Sequence, residues 1–387
     1  MRCAIALICF IADAALAQSA LMVDNPAQVG SDVPHVDLSA ATFVGNDIVA
    51  AKHFTDDPWP ANYHRRSGEN LAIGTERMQF VGVEQGWTFG AIYRQDWRLV
   101  TNADTVDAYA QSQRGDLAQQ TRRYALDYDL NGFAADGLRL GHAWAMNLSS
   151  AGQLTFGIAG NLLRGRSLRQ DKVNGQLTSN AGTASLTATR DLINTDMRAK
   201  SIAEADGFSD FSPAQPMDVP MGRGGSLDVG MRYTAANGAY VGIAADDLAG
   251  RIRWSQVPRL RLTVNDAQVQ CVGNDCTASR IGADWTSTYE SVTLRLTPRY
   301  LVEAAYPWQG LIMRARVESL KGDLFPVAGV DYALTPAWRV GLDYESRFGS
   351  VGISVNNPYF FCALRTDKPA VGSARTLGVS IGLRGYF

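Results

Sequence analysis

The stretch Thr376-Leu-Gly-Val-Ser-Ile-Gly-Leu-Arg-Gly-Tyr-Phe387 decides the fold, because its side chains alternate strictly between two kinds. One parity is apolar and consists of Leu377, Val379, Ile381, Leu383 and Phe387. The other is small or polar and consists of Gly378, Ser380, Gly382, Arg384 and Tyr386. Successive side chains of a strand point to opposite faces, so the stretch predicts a strand with one greasy face and one polar face. Chain ends usually fray, and an alternation that continues to an aromatic last residue indicates an end held in a sheet.

This stretch resembles the terminal strand of Gram-negative outer-membrane β-barrels, which alternates and ends on Phe. The resemblance implies that Tyr386 and Phe387 form an assembly signal read by the barrel assembly machinery. It also implies a location in the bacterial outer membrane, in contact with lipid and lipopolysaccharide.

The first seventeen residues predict a secretory signal peptide. Arg2 supplies the charged start, residues 4–12 the apolar run, and Ala15-Leu16-Ala17 a small-x-small cleavage site before Gln18. The apolar run is too short to span a bilayer, which takes about 20 residues in a helix. We therefore expect secretion through the inner membrane and a mature chain that begins near Gln18.

The rest of the chain predicts an all-β protein, a transmembrane antiparallel β-barrel of about 14 strands within a range of 12 to 16. Charges, Gly and Pro interrupt every apolar stretch after residue 17, and a β span must close into a barrel because lipid offers the backbone no hydrogen-bond partner. We expect residues 18–74 to form a periplasmic or plug segment with at most one strand, at 36–52. Residues 75–387 would form the barrel, with long polar loops at 166–224 and 250–291.

A second, shorter resemblance concerns strand number. The segment Val241-Gly-Ile-Ala-Ala-Asp-Asp-Leu-Ala-Gly-Arg-Ile-Arg-Trp254 resembles a strand of the barrels related to long-chain fatty-acid transporters and conjugation-associated outer-membrane proteins. That class implies 14 strands and an N-terminal segment that plugs the lumen.

The charged residues predict a nearly neutral barrel interior. Five of the 36 basic residues are Lys and the other 31 are Arg, and the net charge of −2 argues against a nucleic-acid partner. Arginine on the lipid face costs about 2–4 kcal/mol at mid-membrane, so the charged parity should face the lumen. The candidate lumen or selectivity residues are Arg94, Arg98, Arg295, Arg299, Glu303, Arg314, Arg316, Glu318, Arg339, Asp343 and Arg384. They could form a salt-bridge lattice that braces the wall, or a constriction that selects anionic or zwitterionic solutes.

Catalytic and metal chemistry find little support. His35, His53 and His64 are spaced by 18 and 11 residues, which matches no compact metal-ligand motif, and His142 lies on the apolar parity of its strand. The sequence has no Ser-His-acid arrangement and no glycine-rich phosphate loop. We therefore expect no enzyme activity, no metal and no cofactor.

Two functions follow from this reading. The first is a passive channel for small polar or anionic solutes, because a barrel of this strand number encloses a lumen that a charged wall would wet. The alternative is a structural or surface-interaction protein, such as an assembly, conjugation, secretion or adhesion factor, because the two long polar stretches exceed what a bare pore needs. The sequence leaves the oligomeric state open.

The cysteines generate a direct test. Cys271 and Cys276 flank a short polar turn, and outside the membrane we expect them to form a disulfide that closes this loop tip. Thiol labelling of the mature protein without reductant should then modify Cys362 alone. Labelling of all three cysteines would contradict the disulfide.

Overall fold

A computed structural model describes residues 20–28, 33–54, 59, 63–119, 121–148, 151–180, 182–196, 220–272, 275–280 and 282–387. The predicted signal peptide lies outside the described residues. The strands are β1 (His35–Asn46), β2 (Glu69–Glu84), β3 (Trp87–Asn102), β4 (Arg122–Asn147), β5 (Gly152–Asn180), β6 (Thr183–Asn194), β7 (Gly222–Ala235), β8 (Tyr240–Val272), β9 (Asp275–Arg280), β10 (Ala283–Arg295), β11 (Arg299–Trp308), β12 (Leu311–Leu320), β13 (Asp323–Ala333), β14 (Arg339–Glu345), β15 (Ser350–Asn357), β16 (Phe360–Thr366) and β17 (Thr376–Tyr386). One α-helix, α1 (Ala103–Gln113), follows β3, and short 3₁₀ turns lie at Pro26–Gln28, Ala51–Phe54, Leu117–Gln119 and Val371–Ser373.

In the described part of the chain, the strands form a closed antiparallel barrel whose wall has 14 strands. Each wall strand pairs with the wall strands that precede and follow it along the chain. The last strand, β17, pairs with β1 from His35↔Tyr386 to Gly45↔Thr376, which closes the sheet. The wall strands are β1 to β5, β7, β8 and β11 to β17. The predicted fold class and strand number are confirmed. The wall begins at His35, however, and not at residue 75, because the predicted N-terminal strand is itself β1.

The two stretches predicted to be long loops are largely β-structure. Above the membrane, β6 pairs with the outer parts of β5 and β8, while β10 pairs with β8 and continues the line of β11. The resulting sheet extends the wall upward on one side, and residues 197–219 lie outside the described part. Polar side chains on both faces had suggested a loop, but a strand outside lipid has no need of an apolar face.

This extension is stabilised by charge pairs across its strands. Arg259 donates to Asp191 through Nε at 2.7 Å and to Glu290 through Nη1 at 2.7 Å. The hydrogen bonds from Arg259 hold the pKa of both carboxyls below the usual range. At the tip, the backbones of Cys271 and Cys276 lie directly opposite each other in the β8–β9 ladder. Their side chains lie outside the described part, so the disulfide stays a prediction. Cys362 is a partly exposed free thiol on β16.

The outward face of the wall is an apolar belt. Its exposed side chains include Leu38, Met78, Phe80, Phe89, Leu138, Leu140, Phe156, Ile158, Leu162, Val241, Ile243, Val302, Leu342, Ile353, Val379 and Ile381. At the end with short turns, which we call the lower end, exposed aromatic residues form a girdle that includes Trp87, Trp144, Tyr233, Tyr306, Trp308, Tyr332 and Trp338. An apolar band bordered by aromatic rings is the surface that a lipid bilayer covers. His142 belongs to this girdle, where its ring stacks on Trp87 with centroids 4.5 Å apart.

None of the helices in the described ranges combines the length and the apolar character that a membrane span needs.

A charge placed in the belt should destabilise the barrel. Leu140 is 59% exposed and pairs with Gly160 in the middle of the band, so Leu140→Arg should lower the unfolding free energy in liposomes by about 2–4 kcal/mol. The matched control is Thr286→Arg, on the exposed face of β10 above the membrane. Equal stability of both variants in denaturant titrations followed by gel mobility would contradict the position of the belt.

Candidate functional site: the plugged lumen

Residues 20–28, which we call the plug, lie inside the barrel. Their first four residues join an apolar cluster on the inner wall toward the end opposite the short turns, the upper end. The cluster consists of Ala20, Leu21, Met22, Val23, Phe43, Leu71, Ile73, Ala244, Leu301, Phe325 and Phe348. The sequence offered a periplasmic or a plug position for this segment, and the structure places these residues in the lumen.

Charged wall side chains bind the backbone of the plug. Glu318 accepts the N–H groups of Leu21 and Val23 at 2.9 and 3.2 Å. Arg299 donates to the Leu21 carbonyl at 2.7 Å, and Arg316 donates to the Val23 carbonyl at 2.8 Å. Buried backbone groups need partners, and here three wall side chains supply them in place of a neighbouring strand.

The lower half of the plug binds two further carboxylates. The Asp24 N–H donates to Asp246 at 3.0 Å. Asn25 and Gln28 donate to the same oxygen of Glu303 at 3.3 and 2.6 Å. The plug is therefore held along its length by the wall, mostly through acidic side chains that accept hydrogen bonds.

Two glycines of the wall leave space for the lower half of the plug. A Cβ added at Gly230 would lie 2.0 Å from Asn25 Oδ1, and one added at Gly157 would lie 2.2 Å from the Pro26 carbonyl carbon. Any larger residue at either position would displace the plug from the wall.

The buried charges of the upper lumen form a four-membered ring of ion pairs. Arg94 donates to Asp96 at 2.7 Å and to Asp247 at 2.7 Å, and Arg299 pairs with Asp96 at 2.5 Å and with Asp247 at 3.8 Å. All four side chains are buried. Removing one member would leave a buried charge unpaired, at a cost of about 3–5 kcal/mol. The ring braces the wall at the level of the plug.

The other candidate lumen residues mostly form separate ion pairs. The pairs are Arg314–Asp331 at 2.8 Å, Arg316–Glu318 at 2.6 Å, Arg98–Asp323 at 2.9 Å, Arg384–Asp37 at 2.7 Å and Arg365–Asp343. Arg339 is half-buried on β14 and has no ion pair with another described residue.

Arg295 does not face the lumen. It is exposed on β10, where Val292 and Leu294 pack inward against a cluster around Trp254. In the sequence the apolar parity of Val292 continues to Tyr306, but the ladder stops at Arg295 and restarts at Arg299. The break at Leu296-Thr297-Pro298 reverses the face on which the following side chains lie.

Sequence reasoning missed Asp24, Asp246, Asp247 and Arg365 as lumen residues. Asp246 and Asp247 are adjacent, yet both are buried, because Asp247 has a φ of 62° and interrupts the alternation of β8. Two consecutive acids inside an otherwise alternating strand were the available signal for such a bulge.

Beneath α1, a cavity of about 740 Å³, which we call the upper cavity, lies against the upper parts of β3 and β4. Leu99 and Leu130, which pair in the β3–β4 ladder and line this cavity, lie on the same face of the wall as the outward Phe89. Its wall includes the rings of Trp59, Trp97, Tyr109, Tyr128 and Phe133. Polar groups reach it at a few points, including Thr101, Asp96, Asn194 and Arg169. The upper cavity can therefore enclose a small molecule with an apolar body and a polar group.

Helix α1 and the segment that follows β1 form the lid of the upper cavity. Val106 and Ala110 of α1 pack against Ile48, Val49 and Trp59. Polar contacts fix the same pair of elements, since Asp107 accepts from Tyr63 at 2.7 Å and pairs with Arg65 at 3.0 Å.

A second, smaller cavity of about 120 Å³ lies at the lower side of the plug. Asp24 of the plug lines it together with Arg77, Asp37 and Arg384 of the wall. The plug therefore borders this charged lower cavity, whereas no residue of the plug lines the upper cavity.

The part of the chain that the structure describes holds no group of three or more His, Cys, Asp or Glu side chains arranged to bind a metal ion.

No protein-family model and no curated protein matches the sequence. Solved structures with a similar fold include the toluene transporter TodX of Pseudomonas putida, with 10% identity, coverage of 94% of this chain and 93% of that chain, and a TM-score of 0.43. A Pseudomonas aeruginosa FadL homologue has 12% identity, coverage of 93% and 91%, and a TM-score of 0.30. A Rh. blastica porin mutant has 12% identity, coverage of 92% and 100%, and a TM-score of 0.21.

The chain is a plugged transmembrane β-barrel. This statement rests on the strand pairing, the apolar belt and the contacts of residues 20–28. It does not rest on the similar solved structures, and similarities at such TM-scores say nothing about the solute that the protein carries.

The contacts of Glu318 generate a prediction about the plug. Glu318→Ala removes the acceptor of two plug N–H groups and leaves Arg316 without its carboxylate, so the plug should detach more often. Amide exchange at Leu21 and Val23 should accelerate at least tenfold, as a loss of about 1.4 kcal/mol or more requires.

The control is Asp343→Asn, which disrupts the buried pair with Arg365 without touching the plug. Plug exchange that accelerates equally in both variants would show that Glu318 acts on the barrel as a whole.

Proposed function

We propose that the protein is an outer-membrane channel for small solutes, in which the plug controls passage through the lumen. The observation that carries this proposal is that plug residues line two cavities of the lumen, one of about 80 Å³ beside Leu21 and one of about 120 Å³ beside Asp24. We propose transport and not catalysis as the role of this lumen.

The lining of the upper cavity supports a particular class of solute. Aromatic and aliphatic side chains dominate pockets that bind small organic molecules, while a few polar groups orient them. A compact aromatic or aliphatic molecule with one polar group fits this composition.

An anion preference remains the finer part of the proposal. Its support is Arg339, which lacks an ion pair with any described residue, and Arg77, whose distances to Asp24 and Asp246 are 3.7 Å. Both face the lower lumen. Arg232 also faces the lumen and stacks on the Tyr240 ring, with its guanidinium carbon 3.8 Å from the ring centroid. Any anion selectivity would reside with these three arginines.

A second function is supported by the extension above the membrane. Trp285 and Tyr289 on β10 are each 40% exposed, on a sheet that projects beyond the barrel. An exposed aromatic surface of this kind is suited to contact with another protein. This surface-interaction role would not require a conducting lumen.

Bilayer conductance separates the two functions. The mature protein should conduct weakly, and a variant that lacks residues 20–28 should show conductance at least tenfold higher, because the plug fills the lumen at the level of Glu318 and Glu303. A silent deletion variant that retains heat-modifiable gel mobility would favour the surface-interaction role.

Binding in the upper cavity has its own test. A brominated phenol should quench tryptophan fluorescence, since Trp59 and Trp97 line the cavity, and Leu130→Trp should weaken this binding by filling the space. Leu126→Trp, on the same strand but outside the cavity lining, is the matched control. Equal affinity in both variants would place the bound phenol elsewhere.

A further inference from the structure

Six arginines lie on the outward face of the wall, above the apolar belt and on one side of the barrel. They are Arg164 and Arg166 on β5, Arg223 on β7, Arg251 and Arg253 on β8, and Arg295 on β10. All six are exposed. We call them the arginine patch.

The burial pattern fixes the direction in which the patch faces. On β5 the exposed side chains Phe156, Ile158 and Leu162 share the parity of Arg164 and Arg166, whereas the intervening residues are buried. On β7, Leu227, Met231 and Tyr233 share the parity of Arg223. The patch is thus a direct continuation of the lipid-facing surface.

Its height matches the upper membrane boundary. Leu154 pairs with Tyr233 of the lower girdle, and Arg164 lies ten residues further along β5. At about 3.4 Å per residue and a strand tilt of about 40°, this separation gives a height of about 26 Å, close to the roughly 25 Å of an outer-membrane apolar band.

The arginines are direct cross-strand neighbours. Arg164 lies opposite Arg223, Arg223 lies opposite Arg253, and Arg251 lies opposite Arg295. Like charges directly opposite each other destabilise a sheet. A bound anion between neighbouring guanidinium groups would turn this repulsion into attraction, because arginine binds phosphate through two parallel hydrogen bonds.

Acidic side chains only partly neutralise the patch. Asp136 accepts from Arg164 at 2.7 Å and also from Arg166. Arg223, Arg251, Arg253 and Arg295 have no ion pair with any other described residue. The patch therefore carries a strong positive charge at the point where lipid headgroups begin.

The opposite side of the barrel has a different surface at this boundary. Its exposed residues near the upper strand ends include Leu324, Tyr344, Val351 and Leu364. A general need for solubility would distribute charges around the whole rim, but the arginines occupy only β5, β7, β8 and β10.

We propose that the arginine patch binds the phosphate groups of lipid A, the diphosphorylated glycolipid that anchors lipopolysaccharide in the outer leaflet. This inference rests on the proposed outer-membrane location and is independent of transport. The apolar belt below the patch would contact the acyl chains, and neighbouring pairs of arginines would each hold a phosphate.

Lipid binding to purified barrels in nanodiscs tests the proposal. Arg223→Gln, Arg253→Gln and Arg295→Gln in one variant should weaken binding of diphosphoryl lipid A at least tenfold. Monophosphoryl lipid A should bind the original protein less tightly, and inorganic phosphate should compete only at much higher concentration. The matched control changes the exposed Arg123, Arg169 and Arg261, above the patch, to Gln.

Equal loss of binding in the patch variant and the control would overturn the proposal, as would equally tight binding of phosphatidylglycerol or inorganic phosphate. Heat-modifiable gel mobility of every variant confirms that the barrel is intact. If the protein fractionates outside the outer membrane yet binds lipid A through the patch, the location fails while the site stands. A protein that does not conduct would leave the interpretation of lipid A binding unchanged, because the proposed site does not depend on transport.

Discussion

Backbone hydrogen bonding inside lipid is the constraint on which this structure depends. A sheet with a free edge cannot lie in a bilayer, so β1 must meet β17, and their ladder runs from His35↔Tyr386 to Gly45↔Thr376. Closure gives every wall strand one face toward the lipid and one face toward the lumen. The outside accepts apolar side chains, and the charges of the alternate parity therefore have to share a narrow interior.

That crowding explains why the lumen is an ion-pair lattice. Removing charges from water is costly, and the cost is offset only when each charge finds partners. Arg94, Asp96, Asp247 and Arg299 meet this condition as a ring. The plug takes part in the same lattice, because its backbone groups at Leu21 and Val23 bind Arg299, Arg316 and Glu318. Occlusion of the lumen and stabilisation of the wall are thus one set of interactions.

The sequence predicted what depends on local alternation and missed what depends on register between strands. Strand faces were predictable at Leu377 to Leu383, because a period of two needs no knowledge of neighbours. Arg295 was misplaced because the break at Leu296-Thr297-Pro298 changes the face, and Asp247 was missed because its bulge exists only relative to β7 and β11. Residues of the plug follow neither the period of two of a strand nor the period of 3.6 of a helix, so no local pattern could predict their contacts.

The excess of arginine over lysine has a different consequence on each face of the wall. Inside, the planar guanidinium of Arg94 contacts two carboxylates at once, which a lysine ammonium does not match in geometry. Outside, at the upper boundary, Arg223 and Arg253 present the same fork beside each other with no carboxylate between them. A guanidinium group without an acidic partner is suited to bind a planar or tetrahedral oxyanion. Arginine therefore forms ion pairs with carboxylates inside the lumen, whereas on the lipid-facing rim the same side chain is available to bind phosphate.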